Sequence, residues 1–149
     1  MTNAIDRADI QPTDLDQAIW AEELSDFVPD TVFDVHTHIY RWAFDLDPNR
    51  ATGPFANNIG RYFPEVTWDL ADQVDALLMP GRKMERLAFP FPFPHPCDFD
   101  TSNSYVAAQV SKGPTSRGLA LVHPGMSSAE VEATVRRNGL IGVKPYRFY

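Results

Sequence analysis

The sequence predicts an α/β fold with parallel strands, and three observations carry that prediction. Helix-like and strand-like stretches alternate along the chain, the order that produces parallel strands joined by right-handed crossovers. Gly118 to Val122 is apolar throughout, as expected of a strand buried on both faces. All four histidines fall at or just beyond the C-terminal end of an expected strand. A chain of 149 residues is long enough for one domain with a real core.

The elements follow in order. Residues 1–12 read as a loose tail. Thr13 or Asp14 suits an N-cap, and Leu15, Ile19 and Trp20 supply part of an apolar face for a first helix. Val28-Pro29 ends it. Thr31 to Tyr40 is rich in strand formers: Val32, Phe33, Val35, Ile39 and Tyr40. A long irregular stretch, residues 41–66, carries prolines, glycines and scattered aromatics and reads as an ordered lid over a site. Asp69 to Met79 is helical, stopped by Pro80-Gly81. A second strand covers Arg86 to Phe89. The run Pro90-Phe91-Pro92-Phe93-Pro94-His95-Pro96 follows it, and proline cannot donate to a ladder, so pairing should fade there. A strand running out into a rim loop fits that run better than a polyproline recognition segment. Thr101 to Lys112 is a second crossover helix, ended by Gly113-Pro114. Gly118 to Val122 is the third strand. Ser127-Ser128-Ala129-Glu130 is a capping box that opens a helix closed by Asn138-Gly139. Leu140 to Tyr146 is the fourth strand. The division is an N-terminal tail and helix, residues 1–30, and a strand–helix body, residues 31–149.

A doubly wound sheet and a (β/α)8 barrel both fit this order. A nucleotide-binding sheet of the doubly wound kind calls for a glycine-rich turn after its first strand. His36-Thr37-His38 stands there instead. Two histidines two apart point to the same side of a strand, and two neutral imidazoles on one face chelate zinc or a similar metal. Asp34 shares that parity and is expected to support them from the same face. His123 ends the third strand and Lys144 lies near the end of the fourth, on the rim where barrel enzymes build their sites. Each has a plainer reading. The histidine pair could be polar strand-end residues, and His123 before Pro124-Gly125 could order a turn. His95, inside the proline run, is better read as rim structure. Lys144 could be a solvated lysine, although Val143 and Pro145 imply limited solvent, and a desolvated lysine is reactive. Arg41, Arg61 and Arg147 could hold a substrate carboxylate bidentately or make surface salt bridges.

Net charge is −7, which disfavours a nucleic-acid partner. The N-terminus lacks the basic and apolar regions of a signal peptide. No apolar run approaches the roughly 18 residues of a membrane span. Cys97 is the one cysteine, which fits a reducing compartment, so a cytoplasmic protein with no membrane partner is expected.

The run Phe33 to His38 resembles the first-strand signature of the amidohydrolase superfamily. With Val28-Pro29, the proline run and Gly139-Leu140-Ile141-Gly142-Val143-Lys144-Pro145, it resembles the branch called amidohydrolase-related, or amidohydrolase 2, over roughly residues 25–149. The resemblance implies a (β/α)8 TIM barrel with a divalent metal, zinc foremost, as one ion or two, at the strand C-termini. His36 and His38 match the family's first-strand ligands. Lys144 matches a fourth-strand lysine that some members carboxylate, turning a cation into an anionic oxygen ligand. The family's later ligands, two histidines and a catalytic aspartate, have no counterpart in this sequence. A complete barrel needs on the order of 250 residues. The expectation is therefore an incomplete barrel, the N-terminal half of a hydrolase that activates water against an amide, ester or lactone, with catalytic residues beyond residue 149 and little activity alone. His123, Arg41 and Arg147 are the substrate-binding candidates, the substrate is a small molecule such as a carboxylate, and the full-length protein could be a homo-oligomer. The alternatives are a metal-dependent non-oxidative decarboxylase of the same superfamily, a phosphoesterase or nuclease on a related barrel, and a non-catalytic half-barrel assembly module.

Overall fold

Each of the four described α-helices starts on a side-chain cap that the sequence makes visible or nearly so. The computed structural model describes residues 10–49 and 63–146. The first tail residues, half of the expected lid, Arg61 and Arg147 lie outside them. In α1 (Asp14–Ile19) the Thr13 hydroxyl accepts the Asp16 N–H at 3.2 Å and the Asp16 carboxylate accepts the Thr13 N–H at 2.8 Å. The helix continues as a π-helical turn over Trp20–Leu24. Thr67 caps α2 (Trp68–Leu78), Asp98 caps α3 (Phe99–Val110), and Ser127 with Glu130 forms the expected capping box of α4 (Ser128–Arg137). The α3 cap lies upstream of the expected Thr101 or Ser102, because Asp98 accepts the Thr101 N–H at 3.0 Å.

The strands are β1 (Thr31–His38), β2 (Tyr40–Arg41), β3 (Glu65–Val66), β4 (Lys83–Phe89), β5 (Arg117–Val122) and β6 (Gly142–Pro145). β1, β4, β5 and β6 form a four-stranded, all-parallel sheet in that order, curled into a half-barrel. The fold is therefore α/β as expected. β2 and β3 pair antiparallel across the base of the expected lid, a ribbon too short for its sequence to announce. β4 begins earlier than Arg86 because Lys83 and Glu85, charged positions that hide a strand pattern, pair with each other at 2.9 Å.

Helices cover one face of the sheet. Ile39, Trp68, Ala88 and Val106 form one buried cluster there, and Ala120, Val122 and Leu140 form another with Val131 and Val135. Arg86 is buried on the same face, over the Trp68 ring, between the carboxylates of Asp72 and Asp75. Such a pair of acids meets the cost of taking a guanidinium out of water. Tyr40, Phe44, Phe91 and Phe93 make an aromatic cluster at the rim. The π-helical turn that continues α1 is tied on by Arg82, which donates to the Val28 carbonyl at 3.1 Å and lies over the Trp20 ring.

The β4–β5 ladder pairs Leu87 with Arg117 and Ala88 with Gly118, then stops as Pro90 arrives. The fading expected of the proline run is observed. The Asn103 side chain takes over: its amide donates to the Leu121 carbonyl at 3.0 Å and its oxygen accepts the Leu121 N–H at 2.7 Å. One buried side-chain amide thus stands in for the missing strand, satisfying backbone groups that would otherwise be orphaned.

Candidate functional site

β1 delivers its two histidines through an irregularity. Its register on β4 shifts between Asp34, opposite Arg86, and Thr37, opposite Ala88. Three residues on β1 span two on β4, the geometry of a bulge. The bulge breaks the period-two alternation. Asp34 and Thr37 then both face the helix layer, where they line a cavity of about 280 Å³ with Leu70, Val74 and Arg86. His36 and His38 face the open side. The expectation that Asp34 shares the histidines' face is corrected by this extra residue. Asp34 still shapes the site: its carboxylate accepts the His36 N–H at 2.8 Å and the Thr37 hydroxyl at 2.5 Å, which pins the bulge.

The two rings converge. His36 Nε2 and His38 Nε2 lie 3.2 Å apart. His38 Nδ1 lies 3.1 Å from the Pro90 carbonyl. That carbonyl can only accept, so Nδ1 carries the hydrogen and Nε2 keeps its lone pair, directed at His36. Burial, the largest influence, lowers the His38 pKa to about 4, partly opposed by the Pro90 hydrogen bond; the charges of His36 and Lys144 lower it further. His38 is neutral at physiological pH and its ligating nitrogen is set.

Phe89, fully buried at the end of β4, forms the floor. Its ring centroid lies 5.0 Å from that of His36, 4.9 Å from that of His38 and 4.7 Å from Lys144 Nζ. Lys144, paired with Leu121 in the β5–β6 ladder, therefore reaches the histidine pair across the open face. Tyr146 closes its other side, with Lys144 Nζ 5.7 Å from the ring, and burial pushes the Tyr146 hydroxyl up to about 12. Sequence reading missed Phe89, Tyr146 and the Pro90 carbonyl as site parts. The signal for Pro90 was there: a strand exit into proline frees a carbonyl from the ladder.

The other candidates lie elsewhere. His123 follows β5 but turns away from the pair. Its ring packs on Phe99 at 4.8 Å, and its Nδ1 accepts the Gly125 N–H at 3.2 Å. Arg41 donates to Glu65 at 2.7 Å and lies over the Tyr105 ring, while the Tyr105 hydroxyl donates to the same Glu65 oxygen at 2.6 Å. Hydrogen bonding and the charge of Glu65 raise the Arg41 pKa further. Arg41 fastens the β2–β3 ribbon to α3 and is engaged there rather than offered to a substrate. His95 is exposed in the rim loop.

The pair passes a fit test for a metal. Two bonds of about 2.05 Å to one ion across a 3.2 Å gap subtend roughly 100°, close to the tetrahedral angle zinc prefers. His38 has its far nitrogen anchored to the Pro90 carbonyl, an arrangement common among metal-bound histidines. Among the described residues no group of three or more histidine, cysteine or acidic side chains that could hold a metal converges. No helix among them is long and apolar enough to cross a membrane. Compared with family models and with curated proteins, the chain matches none.

Proposed function

We propose that this chain is the first half of a (β/α)8 barrel hydrolase, with a divalent metal, zinc by preference, held by His36 and His38. The convergence of the two Nε2 atoms at 3.2 Å carries the reading. Such a metal supplies an activated water and a polarised carbonyl for attack on an amide, ester or lactone. The chain's own residues do the rest of what this half can do. The Pro90 carbonyl holds the His38 proton on Nδ1. Asp34 pins the bulge that turns both rings to one side. Phe89 excludes water beneath them. Lys144 brings a positive charge to the mouth, suited to a substrate carboxylate; carboxylated, it would offer an anionic oxygen ligand instead.

The architecture supports the barrel reading. β1 and β6 each lack a neighbour on one side among the described strands. Phe33 and Val35, on β1, remain 46% and 65% exposed, and Ile141 and Val143, at the other edge, 60% and 38%. These are the positions that further strands and a further helix would cover. In this reading the catalytic acid–base groups sit on those further strands. The test is metal content of the purified chain alongside hydrolysis by the protein carrying both halves. His36→Ala should abolish stoichiometric metal and turnover together. Unchanged metal and unchanged turnover in that variant would sink the assignment.

A further inference from the structure

At the rim of the sheet the candidate site is divided between two ladders. β1 and β4 stay paired up to His38 and Phe89, and the Ile39 N–H donates to the Phe89 carbonyl at 3.1 Å. β5 and β6 stay paired through Leu121 with Lys144 and Val122 with Pro145. Between the two ladders, the β4–β5 pairing ends at Ala88 and Gly118. The reach of Lys144 to the histidine pair therefore depends on what holds β5 against β4 beyond that point. We propose that Asn103 is a positioning residue, which sets where Lys144 stands relative to His36 and His38. The inference rests on the metal reading of that pair, with Lys144 as part of the same site.

Asn103 lies on α3 and is 1% exposed. Val106, nearly one turn further along that helix, packs in the buried cluster with Ile39, Trp68 and Ala88, which ties α3 to the end of β1 and to β4. Asn103 holds the other side. Its amide donates to the Leu121 carbonyl at 3.0 Å, and its oxygen accepts the Leu121 N–H at 2.7 Å. Leu121 is the residue opposite Lys144 in the β5–β6 ladder. α3 thus spans the division, and its clamp closes on the ladder pair that carries Lys144.

The chemistry of the side chain suits this task. An amide presents a donor and an acceptor side by side, so it fits both polar groups of one backbone residue. A buried amide with both bonds made is stable, and one with either bond unmade is costly, so the clamp has one low-energy position. At the other end of the division, the Ser116 hydroxyl accepts the Arg86 N–H at 2.9 Å and joins β4 to the residue before β5. That bond anchors the base and leaves the rim to Asn103. The spacing it sets is short. Lys144 Nζ lies 4.7 Å from the Phe89 ring centroid, and that ring lies 5.0 Å and 4.9 Å from the rings of His36 and His38. A misplacement of about 1 Å is enough to cost a site on the order of a hundredfold.

The test compares the full chain with Asn103→Leu, similar in shape, and with Ser116→Ala, which removes a buried bond at the base of the same division. In the native chain the Lys144 ε-protons should resonate upfield of those of exposed lysines, shifted by the Phe89 and Tyr146 rings. Asn103→Leu should return them to the exposed-lysine position with the amide spectrum still dispersed, and Ser116→Ala should leave them shifted. Asn103→Ala is the second variant if the leucine variant loses dispersion, and it should lose the same shift. This readout needs no metal. Failure of the native chain to bind zinc would therefore defeat the metal reading, while the Lys144 signal still reports what Asn103 positions. With zinc bound, Lys144→Met should change the affinity of the native chain at least about threefold, as a unit charge near a divalent ion does, and by a smaller factor in Asn103→Leu. No upfield shift in the native chain, a shift kept in the folded Asn103 variants, a shift lost equally in Ser116→Ala, or an equal Lys144→Met effect in both backgrounds would each overturn the proposal.

Discussion

His38 is held neutral by burial, and that has a measurable cost in acid. Its pKa of about 4 in the folded chain lies below the ordinary 6.5, so between these values the unfolded chain binds a proton that the folded chain refuses. Stability is complete above about pH 6.5, falls as pH drops toward 4, and has lost the full increment below that. The expected loss between pH 7 and pH 5 is roughly 2 kcal/mol. Urea unfolding across that range should show it in the native chain. His38→Asn should flatten the profile between pH 6.5 and 5, where few carboxylates titrate. Lys144 makes a separate prediction at the same scale. If its amine adds carbon dioxide and releases a proton, the carbamate formed is a ligand, and bicarbonate should tighten metal binding. Lys144→Ala should remove that bicarbonate effect while His36 and His38 still bind the metal.

Elements whose cues are local were legible in the sequence. The capping box at Ser127 and Glu130, the Thr13 cap and the fading of β4 at Pro90 all follow from a few neighbouring residues, and all are present. What sequence hid was set by partners distant in the chain. The β2–β3 ribbon depends on pairing across the long intervening loop. The bulge in β1 depends on register against β4, so period-two counting put Asp34 on the wrong face. The histidine pair was legible because a separation of two survives the bulge; the departure of His123 was not, because it lies one residue past the end of β5. Asn103 is the sharpest case of a role invisible in sequence. Asn103→Leu should leave the Leu121 N–H and carbonyl unpaired and cost about 2–4 kcal/mol, read as a lower urea midpoint at unchanged m-value.

At the scale of the whole molecule, the sheet is a half-barrel whose two edges, β1 and β6, lack a neighbour among the described strands. Unpaired parallel edges and exposed apolar side chains invite association. The chain should bind a hydrophobic dye and show concentration-dependent association by light scattering. Val35→Lys and Val143→Lys should reduce both, since lysine on an edge blocks strand addition. On the proposed barrel reading, supplying further strand–helix units should suppress both without any substitution. A negative net charge alone would predict a dispersed monomer, so this measurement weighs exposed edges against charge repulsion.

The histidine pair remains the centre of the account, and calorimetric titration with zinc tests it most directly. The native chain should bind one ion through the pair at neutral pH. His36→Ala and His38→Ala should each weaken that binding at least about tenfold with the fold intact by circular dichroism. Zinc affinity and stoichiometry identical in all three proteins would contradict the claim that His36 and His38 are metal ligands.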